Sequence, residues 1–337
     1  MRRGSIVQLV ALGVVLGAAS TVVALAVPWL PPNAAEERDG IDLVFWFTTA
    51  IAIAIFALVG AVILYSVIKF RVRPDDDSDG PPVHGHTGIE ILWTTVPAIL
   101  VTAISVVSGV VLVENDRAGT GHMNVDVTAR QFAWLFTYPE EGNLTSGQLR
   151  LPVGRSVELH LQALDVIHSF WVPEFGQKQD AVPGQDTKLV ITPTKVGRYP
   201  VICTELCGLG HALMRTSAIV MAPAGFQAWV KQQKQALKAP PGQAGKAVFA
   251  SNGCASCHTL KAAGATGKVG PDLDKLPAYA QQAGKPLEDF VRESIVDPNA
   301  YVQPGFPKNV MPPFASLPKD QLDALVKFLI ESSKGGK

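Results

Sequence analysis

Cysteine is scarce, with four residues in a chain of 337, arranged as two close pairs, Cys203/Cys207 and Cys254/Cys257. None is left over for a long-range disulfide, so a disulfide-stapled scaffold is excluded. Histidine is also scarce; seven residues exclude a metal cluster built from many imidazoles. Net charge is absent, because 29 Lys and Arg balance 29 Asp and Glu. Nothing in that balance points to nucleic acid as a partner. No internal repeat is visible, and no bilayer-length apolar run occurs after about residue 113. The length suggests two or three units rather than one.

The apolar residues, 47% of the chain, concentrate at the start. Three runs, at about 6–30, 43–68 and 91–113, are long enough to span a bilayer, which takes roughly 20 residues. The first follows Arg2 and Arg3 and contains Ala24 and Ala26, so residues 1–31 read as a signal peptide or a retained signal anchor. No cysteine follows it, so a lipoprotein anchor is unavailable. The other two runs form a transmembrane helical hairpin over 41–113. Lys69, Arg71 and Arg73 directly follow the second run and place that end in the cytoplasm. Glu36, Glu37, Asp39 and Asp42 against a single Arg38 place the preceding segment outside. The third run returns the chain outward, so everything beyond about 115 faces the outer or periplasmic side. The polar segment 74–88 carries His84 and His86 but too few ligands for a metal, and reads as a solvated loop.

From about 122 to 222, short β-forming runs such as VDVTARQFAWLFTY, SVELHLQAL and TKLVITP alternate with turn signals, the pattern of an all-β sandwich or barrel. A helical stretch, AGFQAWVKQQKQALKA, closes this unit, which spans 115–231. A linker is expected at 232–243 and a small all-α unit at 244–335.

Two constellations carry chemistry. Cys203, Cys207, His211 and Met214 lie within twelve residues of one another in C-T-E-L-C-G-L-G-H-A-L-M. This soft sulfur and imidazole set suits copper, and two cysteines four apart allow both sulfurs to bridge two metals. A second imidazole is then needed, and His168 at a predicted strand end is positioned to reach the loop. A Cys203–Cys207 disulfide and a zinc site remain alternatives, with Met214 favouring copper. His122 and His160 have no partners in sequence and read as structural. The second constellation is C-A-S-C-H, in which Cys254 and Cys257 match the thiols of a c-type heme attachment motif and His258 the adjacent axial ligand. Met311, between Val310 and two prolines, can supply the opposite ligand; Met/His ligation suits an electron carrier.

The loop resembles the copper A loop of cytochrome c oxidase subunit II, C-x-E-x-C-x-x-x-H-x-x-M. The segment from Gly176 to Gly184 and the run I-E-I-L-W-T-T-V-P around Glu90 resemble other parts of the same family. The unit from about 245 resembles a class I cytochrome c, with Gly270–Leu273 matching the loop whose proline packs near the heme histidine. Together the resemblances imply subunit II with a fused cytochrome c domain, the caa-type architecture, in a bacterial cell membrane. The implied β fold is cupredoxin-like. The implied cofactors are a binuclear copper held by His168, Cys203, Cys207, His211, Met214 and the Glu205 carbonyl, and one covalent heme. The Glu205 carboxylate is implied at a magnesium shared with subunit I, and Glu90 at a proton-path mouth. Subunits I and III and an upstream donor, a cytochrome c or a bc-type complex, are the implied partners of a proton-pumping oxidase that reduces O2 to water. The family's aromatic electron-transfer run reads here as Phe132 and Trp134, with phenylalanine where the first tryptophan is usual. The chain lacks spare histidines for an oxygen-reducing site of its own, so the activity belongs to the complex. Alternatives are a quinol oxidase subunit, argued against by the intact ligand set; a nitrous oxide reductase, argued against by the seven histidines; a nitric oxide reductase that uses the same copper centre; and a membrane-tethered electron shuttle.

Overall fold

The structure, a computed structural model, describes residues 3–71, 82, 84–315 and 317–334. Arg73 and most of the 74–88 segment lie outside the described residues.

Three long helices come first: α1 (Arg3–Ala26), α2 (Glu37–Lys69) and α3 (Thr87–Asn115). All three are long and apolar enough to cross a membrane. α2 is longer than its apolar run because the acidic residues from Glu37 to Asp42 continue the helix at its N-terminal end, where the helix dipole favours negative charge. α1 and α2 meet through small residues: a Cβ at Gly17 would touch Ala57, and one at Gly13 would touch Ala61. At the start of α3, the Glu90 carboxylate accepts the His86 backbone N–H at 3.1 Å and the His86 ring accepts the Ile89 N–H at 3.3 Å. This reciprocal cap satisfies amides that the first turn leaves unpaired, so His86 has a structural task the solvated-loop expectation did not include.

The β unit is a sandwich of two five-stranded sheets. One sheet runs β3 (Leu144–Ser146), β2 (Ala133–Tyr138), β1 (Met123–Arg130), β5 (Val157–Ala163), β8 (Thr187–Ile191). The other runs β4 (Leu149–Pro152), β10 (Arg215–Met221), β9 (Gly197–Cys203), β6 (His168–Trp171), β7 (Lys178–Ala181). β1 pairs parallel with β5 and β4 parallel with β10; the other pairings are antiparallel. Strict alternation along β1 buries Met123, Val125, Val127 and Ala129 and leaves the intervening polar side chains half-buried. The core holds Trp134, Phe136 and Phe170, with Phe170 edge-on to both partners.

Residues 33–38 belong to this sandwich. Ala34 N–H donates to the Glu174 carbonyl, Glu36 N–H to Thr192 and Thr194 N–H to Ala34, and Ala35 bridges Pro193. Arg38 is buried and donates to the Pro173 carbonyl at 2.7 Å. The sequence marked this segment only as an outer acidic loop.

The expected linker at 232–243 is mostly helical. α4 (Pro223–Leu237) anchors Phe226, Trp229 and Val230 in the sandwich core, and α5 (Pro241–Ser251) begins four residues after it ends. Proline is compatible with a first helical turn, so the A-P-P-G break costs only 238–240. The remaining unit comprises α6 (Cys254–Cys257), the two-residue strands β11 (Thr259–Leu260) and β12 (Ala265–Thr266), α7 (Leu276–Gln282), α8 (Leu287–Val296) and α9 (Lys319–Lys334). α5 and α9 cross closely at Gly245, where a Cβ would lie 2.1 Å from the Ala324 carbonyl oxygen. Phe249, Phe290, Leu325 and Leu329 fill this second core.

Candidate copper and heme sites

β9 ends at Cys203, and the loop to β10 carries the remaining residues of the first motif. β6 pairs with β9 so that Phe170 faces Cys203, and the Thr204 N–H donates to the Ser169 carbonyl at 3.0 Å. This register brings the start of β6, and with it His168, to the loop. His168 Nδ1 lies 3.9 Å from Cys203 Sγ. Cys203 Sγ is 3.8 Å from Cys207 Sγ, 3.2 Å from the Glu205 carbonyl oxygen. Cys207 Sγ is 3.5 Å from His211 Nδ1 and 3.8 Å from Met214 Sδ. The two sulfurs are far beyond the roughly 2.05 Å of a disulfide, and both cysteines are free. The structure therefore gathers all six sequence-selected groups around one small volume, with His168, Cys203, Cys207 and Met214 buried.

Sequence reasoning missed Asp165. Its carboxylate accepts from His168 Nε2 at 2.8 Å and from the backbone N–H groups of Gln131 and Val166, each at 2.7 Å. That bond leaves Nδ1 of His168 as the lone-pair nitrogen toward the sulfurs. Burial alone would lower the His168 pKa; hydrogen bonds to Cys203 and Asp165 reverse this and raise it. Burial pushes the Cys203 thiol up, but hydrogen bonds from His168, the Ser169 and Glu205 backbone and Cys207 outweigh it and hold it at about 6. Burial and the neighbouring Cys203 charge drive Cys207 the other way. The hydrogen bonds gathered on Cys203 favour its thiolate, the form that ligates a metal.

Trp134 is packed core, edge-on to both Phe170 and His168. Phe132 is 7% exposed and its ring lies against the loop glycines: a Cβ on Gly210 would fall 2.4 Å from Phe132 Cδ2. Neither aromatic offers a surface to an external docking protein. Glu205 is exposed on the loop, and Glu90 holds the α3 cap.

In the helical unit, Cys254, Cys257, His258 and Met311 line one cavity with about 1370 Å³ of unfilled space, part of it open to solvent. His258 Nδ1 hydrogen-bonds the Pro271 carbonyl at 2.8 Å, which leaves Nε2 as the available ligand nitrogen. Burial lowers the His258 pKa and keeps the ring neutral, the state a metal requires. Gly270 makes room for the ring, since a Cβ there would lie 2.5 Å from His258 Cε1. Burial raises Cys254 to about 12 and raises Cys257 in the same direction. A largely apolar cavity with two thiols on one wall and an oriented imidazole fits a covalently attached macrocycle.

Family models match most of the chain in three blocks. Cytochrome C oxidase subunit II, transmembrane domain, covers residues 23–110; its periplasmic domain covers 143–221; cytochrome c covers 242–333. Cytochrome c oxidase subunit 2 of Synechocystis sp. is 34% identical over 274 residues, 67% of this chain and 82% of that protein. The protein of the same name from Alkalihalophilus pseudofirmus is 32% identical over 314 residues, 88% of this chain and 87% of that one. The chain belongs to the cytochrome c oxidase subunit 2 family. A solved periplasmic domain of subunit II from Bradyrhizobium japonicum is 27% identical, covers 35% of this chain and 98% of that one, and has a TM-score of 0.34. With its fused cytochrome c domain, the chain receives electrons for a heme–copper oxidase complex built with subunit I. It is a membrane protein whose soluble domains lie on the outer side. Its two soluble domains imply copper and c-type heme binding.

Proposed function

We propose that His168, Cys203, Cys207, His211, Met214 and the Glu205 carbonyl hold a binuclear copper, and that Cys254, Cys257, His258 and Met311 hold one covalent heme. The convergence of two imidazoles, two thiols and a thioether around the Cys203–Cys207 pair carries this reading. When bound, the two centres supply one-electron exchange with little structural change. Asp165 fixes the tautomer of His168, the sandwich core immobilises Trp134 beneath it, and the Pro271 carbonyl orients His258. Burial of His168, Trp134 and His258 excludes water and keeps reorganisation small. An upstream cytochrome c or bc-type complex then delivers electrons to the heme domain, and the copper loop passes them to subunit I, with subunit III completing the complex.

The exposed Glu205 carboxylate is proposed to face a magnesium at the subunit I interface, and Glu90 to stand at a proton-path mouth. Both roles are separate from electron transfer. Replacing Glu90 by glutamine keeps the cap acceptor and should spare heme oxidation while reducing proton uptake.

The test uses the full chain, made in an exporting host with heme-attachment machinery and supplied with copper. Expected are two coppers per chain sharing one unpaired electron by paramagnetic resonance, and one covalent low-spin heme by its optical spectrum. Covalent heme with no copper, or with zinc, would sink the copper assignment and leave a membrane-tethered cytochrome.

A further inference from the structure

The cavity of the cytochrome domain is lined by apolar and neutral polar side chains. Among the described residues on its wall there is no Lys, Asp or Glu, and the one full cation is Arg130. Arg130 does not belong to the cytochrome domain; it ends β1 of the copper sandwich. Its guanidinium lies over the Phe314 ring at 4.9 Å, a contact that suits a planar cation. Phe314 stands three residues after Met311, and Val310, directly before Met311, packs against the sandwich core. The chain beside Arg130 is tied down as well: the Gln131 N–H donates to Asp165, and Gln131 Nε2 donates to the Cys207 carbonyl. The two domains meet closely beside the attachment turn. A Cβ on Gly147 would lie 2.9 Å from Gly253 Cα, and one on Gly253 would lie 3.7 Å from the Trp134 carbonyl oxygen. Arg130 is thus held at one place on the cavity wall. The Asp165 carboxylate acts on it from the copper side, but that carboxylate is shared with His168 and with the N–H groups of Gln131 and Val166.

We propose that Arg130 of the copper domain raises the reduction potential of the heme in the cytochrome domain, so that the acceptor domain tunes its own donor. This rests on the heme reading above. Uptake of one electron lowers the charge at the iron by one unit; no bond forms or breaks and no proton moves. A cation on the cavity wall repels the oxidised, more positive iron more than the reduced iron, and so favours the reduced state. The repulsion is weakly screened, because the rest of that wall carries no opposite charge. Arginine stays protonated throughout the working pH range, so the bias is constant. A heme held at higher potential accepts electrons more readily from an upstream donor and hands them to the copper with a smaller driving force. Arg130 touches no reacting atom; it acts through its charge, and only while the cytochrome domain keeps its seat on the sandwich.

The experiment is an optical redox titration of the heme in the full chain loaded with heme and copper, with the copper resonance recorded on the same samples. Arg130→Met keeps an extended side chain and removes the charge. It is expected to lower the heme potential and to shift the electron several-fold toward copper at partial reduction, while the low-spin heme spectrum and the copper resonance stay as in the parent. Arg130→Lys keeps the charge and loses the planar contact with Phe314; it is expected to retain most of the parental potential. Arg130→Gln removes the same charge and carries the same expectation should the methionine variant not retain heme. A parental potential in the uncharged variants would overturn the proposal. So would an equal fall in Arg130→Lys, because the effect would then come from the lost Phe314 contact and not from the charge. A parent chain without a covalent low-spin heme would overturn the function reading itself, and its spectrum shows that failure before any titration begins.

Discussion

At the copper loop, ligating atoms of His168, Cys203 and Cys207 lie within 4.8 Å of one another. In the cytochrome domain, Cys254, Cys257, His258 and Met311 instead ring a large open space. The first site is held by sheet register, with hydrogen-bonded strands on both sides of the loop. The second is held by short helices and by irregular chain between α8 and α9, and an important part of its core is left for the prosthetic group. A site built on paired strands draws its ligands together through backbone pairing; a site built around a macrocycle spreads them around the space the macrocycle fills.

The sharpest way to break the comparison is Cys207→Ser. It removes the sulfur that touches Cys203, His211 and Met214, and should abolish copper uptake while the covalent heme spectrum is retained, checked by metal analysis and optical absorption. The next tests the other side. Chains made without heme-attachment machinery should show fast amide hydrogen exchange through 245–334 while strands β1, β5 and β9 stay protected. Equal protection in both domains would show that the cytochrome core closes unaided. Gly245→Ala is a smaller perturbation confined to the α5–α9 crossing. Overpacking against the Ala324 carbonyl should cost about 3 kcal/mol, read as a lower midpoint for the cytochrome domain in denaturant, with the copper domain unmoved.

The smallest effect concerns the sheet surface. A hydrogen bond from Lys188 holds Glu158 below its ordinary carboxylate pKa. A depressed folded pKa gives stability that is present above the unfolded value and is lost as pH falls through the folded one. Glu158→Gln should therefore lower thermal stability slightly at neutral pH, and the difference from the parent should vanish in acid. A difference that persists in acid would point to lost packing instead.

Much of the site was legible because its ligands are local in sequence. Cys203 to Met214 lie on one loop, and Cys254 to His258 on one turn, so spacing alone was informative. The stretch 232–243, expected as a linker, is helical on both sides of a break at 238–240, because proline also starts helices, as at Pro241. The affiliation of 33–38 with the sandwich was invisible, since its side chains as well as its backbone bond to backbone groups of Pro173, Glu174, Thr192 and Thr194, which leave no mark on side-chain pattern. Asp165 and Gln131 were missed for a related reason: one acidic and one amide residue among many carry no signal until folding places them beside His168 and Cys207.

The sequence by itself determined the three apolar spans, the sidedness set by Lys69 and Arg71, the two ligand motifs and the order of the domains. These depend on composition and short spacing, which the covalent chain carries directly. Only the tertiary structure decided that His168 meets the copper loop through the pairing of β6 with β9, that the copper domain lines part of the heme cavity, and that Gln131 lies at that cavity while its amide reaches the Cys207 carbonyl. Such contacts join residues from 35 positions apart, as His168 and Cys203, to 184, as Arg130 and Phe314; they exist only after burial of two cores has brought distant backbone together, and no local pattern encodes that distance.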